Sequence, residues 1–221
     1  MPKFAAGVVR FQQEVYPDKQ ELFEKLSQGQ SPEALFITCS DSRIETAMMT
    51  QTEPGELFIC RNAGNIVPPH TEQINGMTAS IEFAVSALNV PHIVVCGHTE
   101  CGAMKGAIAP PGSLDSLPQV REWLRYSRAA VQVVEELGKD MDDSQRMKLL
   151  LEQNVMLQLQ HLKTHPSVAA RLAKGDLQLH GWVYDIKTGG VSAYNEATQD
   201  FQAVAECYAE EIKKYACHTT H

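Results

Sequence analysis

The sequence predicts an α/β fold, a parallel sheet covered by helices, on three observations. Apolar runs of strand length alternate with helical patterns. The runs are continuous rather than alternating, as in strands buried on both faces. Turn residues such as Pro54-Gly55 and Gly97 punctuate the junctions. The elements follow in order. Asp18 precedes a helical stretch whose apolar face is Leu22, Phe23 and Leu26. Ala34 to Cys39 is the first strand, Glu56 to Cys60 the second, and Met77, Ile81, Ala84, Val85 and Leu88 recur at helical spacing after it. His92 to Cys96 is the third strand, with Gly97 expected to end it. A Pro/Gly/Ser-rich loop lies between Ala109 and Pro118. Gln119 to Ala173 reads as helical, broken near Lys139 to Asp143 and at His165-Pro166. Leu177 to Ile186 and Val191 to Tyr194 form a strand pair joined through Thr188-Gly189-Gly190. Residues 204–221 read as a polar helical tail, loosely ordered.

Composition narrows the function. With 43% hydrophobic and 21% charged residues the chain is an ordinary globular protein. A net charge of −8 and the lack of a basic stripe argue against nucleic acid or an anionic membrane as partner. The first ten residues carry no export pattern and no apolar stretch approaches the ~20 residues of a membrane span, so the cytoplasm is the expected compartment. The six cysteines are then read as metal ligands or buried thiols rather than a disulfide framework.

Chemistry gathers at two strand ends. The first strand runs into Cys39-Ser40-Asp41-Ser42-Arg43, the third into Gly97-His98-Thr99-Glu100-Cys101-Gly102. Ligands of open α/β sheets bind beyond the carboxyl ends of strands. Cys39, His98 and Cys101 make a Cys₂His set, a known three-ligand arrangement for catalytic zinc that leaves a fourth position open. One helical turn is expected to bring His98 and Cys101 to the same side. Asp41 and Arg43, at intervals of two from Cys39, are expected to face the same cavity along a near-extended chain. Arg43 should keep Asp41 ionised. Asp41 then either accepts a hydrogen bond from a water on the metal or takes the fourth position itself. Cys60 and Cys96 read as small apolar core residues.

Cys39-x-Asp41-x-Arg43 with His98-x-x-Cys101-Gly102 resembles the signature of the β-class carbonic anhydrases. The resemblance continues through Glu53 to Phe58, Arg61 to Asn65, Ser80 to Ala84 and Leu179 to Asp185, and covers residues 5–203. It implies a four- to five-stranded, mostly parallel sheet and a 1–203 domain. Within that domain, residues 1–30 would form a helical arm packed on a partner subunit in a dimer or tetramer. It implies one Zn²⁺ per subunit and attack of a zinc-bound hydroxide on carbon dioxide, giving bicarbonate and a proton. Compared with the open-site variant, Gln30 stands where a glutamine contacts bicarbonate, across the dimer interface or within the chain. Phe58, Val67 and Phe83 match the apolar lining, and the Gly102 N–H is a further substrate contact. A second, inhibitory bicarbonate pocket in other relatives uses a tryptophan, an arginine and a tyrosine. Arg61 and Tyr184 match two of these, but Phe36 replaces the tryptophan and lacks its N–H donor, so that pocket should be weak or absent. Relatives on the same scaffold hydrolyse carbon disulfide or carbonyl sulfide, which leaves that activity, and a non-catalytic zinc-stabilised scaffold subunit, as alternatives.

Overall fold

The computed structural model describes residues 1–71 and 74–218, so the end of the tail expected over 204–221 lies outside the described residues. Strands β1 (Ala34–Cys39), β2 (Leu57–Asn62), β3 (His92–His98), β4 (Gln178–Tyr184), β5 (Val191–Asn195) and β6 (Asp200–Ala203) form one sheet in the order β2-β1-β3-β4-β5-β6. The first four are mutually parallel, and β5 and β6 add antiparallel. The sheet thus has six strands, one more than the four to five expected. The extra one, β6, is four residues long and too short to register as a pattern.

β1 and most of β3 are buried on both faces, which is why they read as unbroken apolar runs. One face carries Leu35, Ile37 and Cys39 into the main core, and the other carries Phe36 against Val94, Cys96 and Trp182. Gly97 does not end β3, which runs on to His98. Its role is close approach: a Cβ there would stand 3.1 Å from Val155 Cγ2. On β4, a Cβ at Gly181 would stand 2.8 Å from the other methyl of Val155 and 3.0 Å from Leu159 Cδ1. The two bare positions let a long helix settle deep on the sheet.

That helix is α8. The helices are α1 (Pro2–Arg10), α2 (Gln20–Leu26), α3 (Thr46–Thr50), α4 (Gly76–Glu82), α5 (Gly102–Ala107), α6 (Pro118–Leu124), α7 (Arg128–Leu137), α8 (Asp143–Leu162), α9 (Pro166–Lys174), α10 (Val204–Cys207) and α11 (Ala209–His218). The expected breaks fall between α7 and α8 and before α9, where Pro166 occupies the first turn. Asp142 and Gln145 close a capping box that starts α8. Asp18 caps nothing; it lies in a short 3₁₀ turn ahead of α2. The N-terminal helical segment leaves Phe4, Val8, Phe11 and Val15 exposed. It meets the body of its own chain at its end, where Lys19 pairs with Glu53 and Leu26 covers Gly55. Among the described residues no helix is long and apolar enough to cross a membrane.

Candidate metal centre

The site forms where β1 and β3 end side by side. Cys39 is the last residue of β1 and His98 the last of β3. Cys101 does not arrive by a helical turn, as the spacing had suggested. Glu100 takes a left-handed conformation (φ 59°), which folds the chain back and sets Cys101 as the residue before α5. The two sulfurs lie 4.0 Å apart, and the His98 nitrogen joins them in a group whose atoms all lie within 4.8 Å of one another. All three residues are buried.

His98 shows what this group is built for. Its Nδ1 lies 2.8 Å from the Thr99 carbonyl oxygen. A carbonyl only accepts, so Nδ1 carries the proton and Nε2 presents a lone pair. Nε2 is fully buried with no hydrogen-bond partner. A buried acceptor left unpaired beside two cysteine sulfurs costs about 1–3 kcal/mol unless something electrophilic meets it. The donor set, one imidazole and two thiols, fits zinc. The Cys39 thiol is held well below its usual range, chiefly by the Cys101 thiol, with the N–H groups of Gly64 and Asp41 adding, against the cost of burial. Cys101 is pushed up by the same interaction and by burial. A cation held here would favour both sulfurs as thiolates.

The next layer holds the loop after β1. Asp41 and Arg43 come together through a turn, not an extended chain: Asp41 Oδ1 accepts from the Arg43 N–H at 3.0 Å and from Nε at 2.9 Å, and Oδ2 accepts from Nη2 at 2.7 Å. Arg43 also donates to the Glu100 carbonyl at 3.0 Å, tying the two ligand-bearing loops together. The guanidinium holds the Asp41 carboxyl well below the usual carboxylate range. Asp41 Oδ2 stands 3.9 Å from His98 Nε2. Arg61 donates to the carbonyls of Cys39, Asp41 and Ile44 at 3.0, 2.9 and 2.6 Å, so it braces the loop from beneath. Cys60 and Cys96 are buried in the core; burial pushes the Cys96 thiol up to about 12.

The remaining site residues fall into two groups. Val67 shares the core cluster of Cys39 and Cys101, and Gly102, first residue of α5, faces open space. Phe58 stands opposite Leu35, four positions before Cys39, so about 13 Å of strand separates it from Cys39. Phe83 packs on Phe58 with ring centroids 5.9 Å apart. Gln30 is exposed and precedes the start of β1. These three lie at the opposite end of the sheet from Cys39 and Cys101 of their own chain.

The structure also shows supports that motif reading did not find. The loop from 63 to 68 is pinned by α6 and α8 through Trp123, Asn154, Gln158 and His161, which bond Ala63, Gly64 and Val67. The signal was present as polar residues at 154, 158 and 161, an i, i+4, i+7 row on the buried face of a helix.

A family model described as carbonic anhydrase matches residues 34–191. The carbonic anhydrase of Pseudomonas aeruginosa is 48% identical over 200 residues, covering 90% of each chain. The solved β-carbonic anhydrase CcaA superposes with a TM-score of 0.89 at 40% identity, over 92% of this chain and 91% of that one. A tetrameric β-carbonic anhydrase from the filamentous ascomycete Sordaria macrospora gives a TM-score of 0.70 at 32% identity, over 87% and 92%. With Cys39, His98 and Cys101 converging at the ends of β1 and β3, these likenesses show that the chain belongs to the β-carbonic anhydrases.

Proposed function

We propose that this carbonic anhydrase interconverts carbon dioxide and bicarbonate on a zinc ion held by Cys39, His98 and Cys101, one ion per chain. The observation that carries the metal assignment is the buried, unpartnered Nε2 of His98 facing two cysteine sulfurs. Zinc at such a site lowers the pKa of a water to ~7 and so supplies a nucleophile at neutral pH. Asp41 is the residue placed to receive a hydrogen bond from that water and fix its orientation. Both of its oxygens are engaged by Arg43, which favours its role as a partner over that of a fourth ligand. Arg43 keeps Asp41 ionised and therefore an acceptor. Val67 supplies an apolar wall for carbon dioxide, and the N–H of Gly102, in the first turn of α5, is the donor for the oxygen on which charge develops.

Gln30, Phe58 and Phe83 complete the pocket of a second subunit. Their position at the far end of the sheet supports this, as does the exposed apolar side of the N-terminal helices, which suits an arm laid on a neighbour. A homodimer is thus the smallest complete enzyme, and the tetrameric relative from Sordaria macrospora makes a larger assembly a natural extension. The occupied donors of Arg61 and the apolar contact of Phe36 with Trp182 support a missing inhibitory bicarbonate pocket. Zinc content and hydration rate measured together test the core of the proposal. About one zinc per chain with fast hydration is expected, and loss of both is expected in Cys39→Ala. Full hydration by a zinc-free preparation would sink it.

A further inference from the structure

The peptide joining Ala63 to Gly64 touches the site with one end and a tryptophan with the other. Its N–H, on Gly64, lies 3.4 Å from Cys39 Sγ. Its carbonyl, on Ala63, accepts from the Trp123 indole N–H at 2.9 Å. In a trans peptide these two groups point in opposite directions. Fixing the carbonyl therefore aims the N–H.

The next peptide is held as well. The Gly64 carbonyl accepts from Asn154 Nδ2 at 3.2 Å. The Asn154 amide is in turn oriented by Ser127 Oγ at 2.8 Å and Gln158 Nε2 at 2.9 Å, both donating to its Oδ1. Gly64 has φ 82°, and a Cβ there would stand 2.8 Å from Met104 Cε and 3.1 Å from Ala103 Cβ, on the helix that follows Cys101. A side chain at this position would be strained by the positive φ and would crowd Met104 and Ala103.

We propose that Trp123 is a positioning residue for the metal centre: through the Ala63–Gly64 peptide, its indole N–H holds a hydrogen-bond donor on the Cys39 thiolate. Donation to the carbonyl also polarises the peptide and strengthens the N–H on its far side. The N–H···S bond withdraws charge from the sulfur and fixes the direction of its lone pairs. Outer-shell partners of this kind typically change metal affinity 10- to 100-fold. The inference rests on the assignment of Cys39 as a metal ligand.

The test reads the metal bond and not turnover. Chelated apoprotein is titrated with Co²⁺, and the sulfur-to-cobalt charge-transfer absorption is recorded. Wild type should show the intense near-ultraviolet band of thiolate ligation. Trp123→Phe keeps a ring against Tyr126 but removes the donor. It should move the band to longer wavelength, because the sulfur is richer in electrons, and weaken Co²⁺ binding about ten-fold. Benzothienylalanine at position 123, which replaces only the indole N–H by sulfur, should give the same two changes. It decides alone if circular dichroism shows that Trp123→Phe has lost its fold. Tyr126→Phe, a change in the ring beside the indole, should leave band and affinity as in wild type. Wild-type band and affinity with benzothienylalanine at position 123 overturn the inference. A wild-type protein that takes up Co²⁺ without any thiolate band overturns the ligand assignment beneath it.

Discussion

The proposed role of Asp41 depends on two properties that Arg43 supplies together, orientation and charge. Asp41→Asn keeps the shape and one acceptor oxygen but places an amide donor in the network. We expect kcat to fall about 10²-fold or more with zinc content unchanged, the range for loss of a positioned acceptor in proton chemistry. Metal analysis beside stopped-flow hydration measures both, and undiminished kcat would remove the role. The Arg43 pair also has a pH signature. The folded-state pKa of Asp41 lies below its unfolded value of ~3.9, so the pair's contribution to stability is fully present above about pH 4 and is lost as pH falls toward the folded value. Urea midpoints of metal-free wild type and Arg43→Met between pH 3 and 6 should therefore differ by a constant amount at the upper end, with the gap beginning to narrow below about pH 4. Parallel curves across that range would contradict it. The grouping of Cys39, His98 and Cys101 was legible in the sequence because thiol and imidazole are rare enough to mark chemistry wherever they cluster. The turn at Glu100 was not, since a left-handed glutamate leaves no compositional trace.

At the level of elements, α8 does more than cover the sheet. Its apolar residues, among them Leu150, Leu151, Val155, Leu159 and Leu162, fill the core, while Asn154 and Gln158 reach from the same face to the loop after β2. This works only because Gly97 and Gly181 let the helix approach. Gly181→Ala places a methyl carbon 2.8 Å from Val155 Cγ1, and overpacking of this kind costs about 1–3 kcal/mol. Urea unfolding at fixed zinc should show that loss, and an unchanged midpoint would mean that the helix has slack. The strands, the helix breaks and the hairpin were readable because burial on both faces, proline and Thr188-Gly189-Gly190 are strong local signals. β6 was not, for its shortness, and the polar row on α8, though present at 154, 158 and 161, was masked because buried amides are sparse within an apolar face. Where Gly97 falls inside β3, the constraint is tertiary, set by a helix more than fifty residues away in sequence.

For the whole molecule, the decisive feature is that a β1 strand separates Gln30, Phe58 and Phe83 from Cys39 and Cys101 of their own chain. Complementation tests whether they serve a partner. On the proposed function Cys39→Ser would lack a metal ligand and Gln30→Ala a substrate contact, so each alone should be poorly active. Mixed dimers formed from the two would contain one site with both residues intact, and activity should return on mixing and reassembly. No recovery in verified mixed dimers would place Gln30 in its own chain's site or outside the chemistry altogether. The sequence pattern matched these residues to a pocket but held no information about which subunit's pocket they enter, because that is a property of the sheet's length. The same length has a kinetic side. An enzyme whose pocket is assembled from two chains has no fixed specific activity. On dilution its rate per chain should decay over minutes to hours at the pace at which dimers fall apart, and on concentration recover by a second-order process. An assay begun from a dilute stock would then record the history of the sample as well as its chemistry.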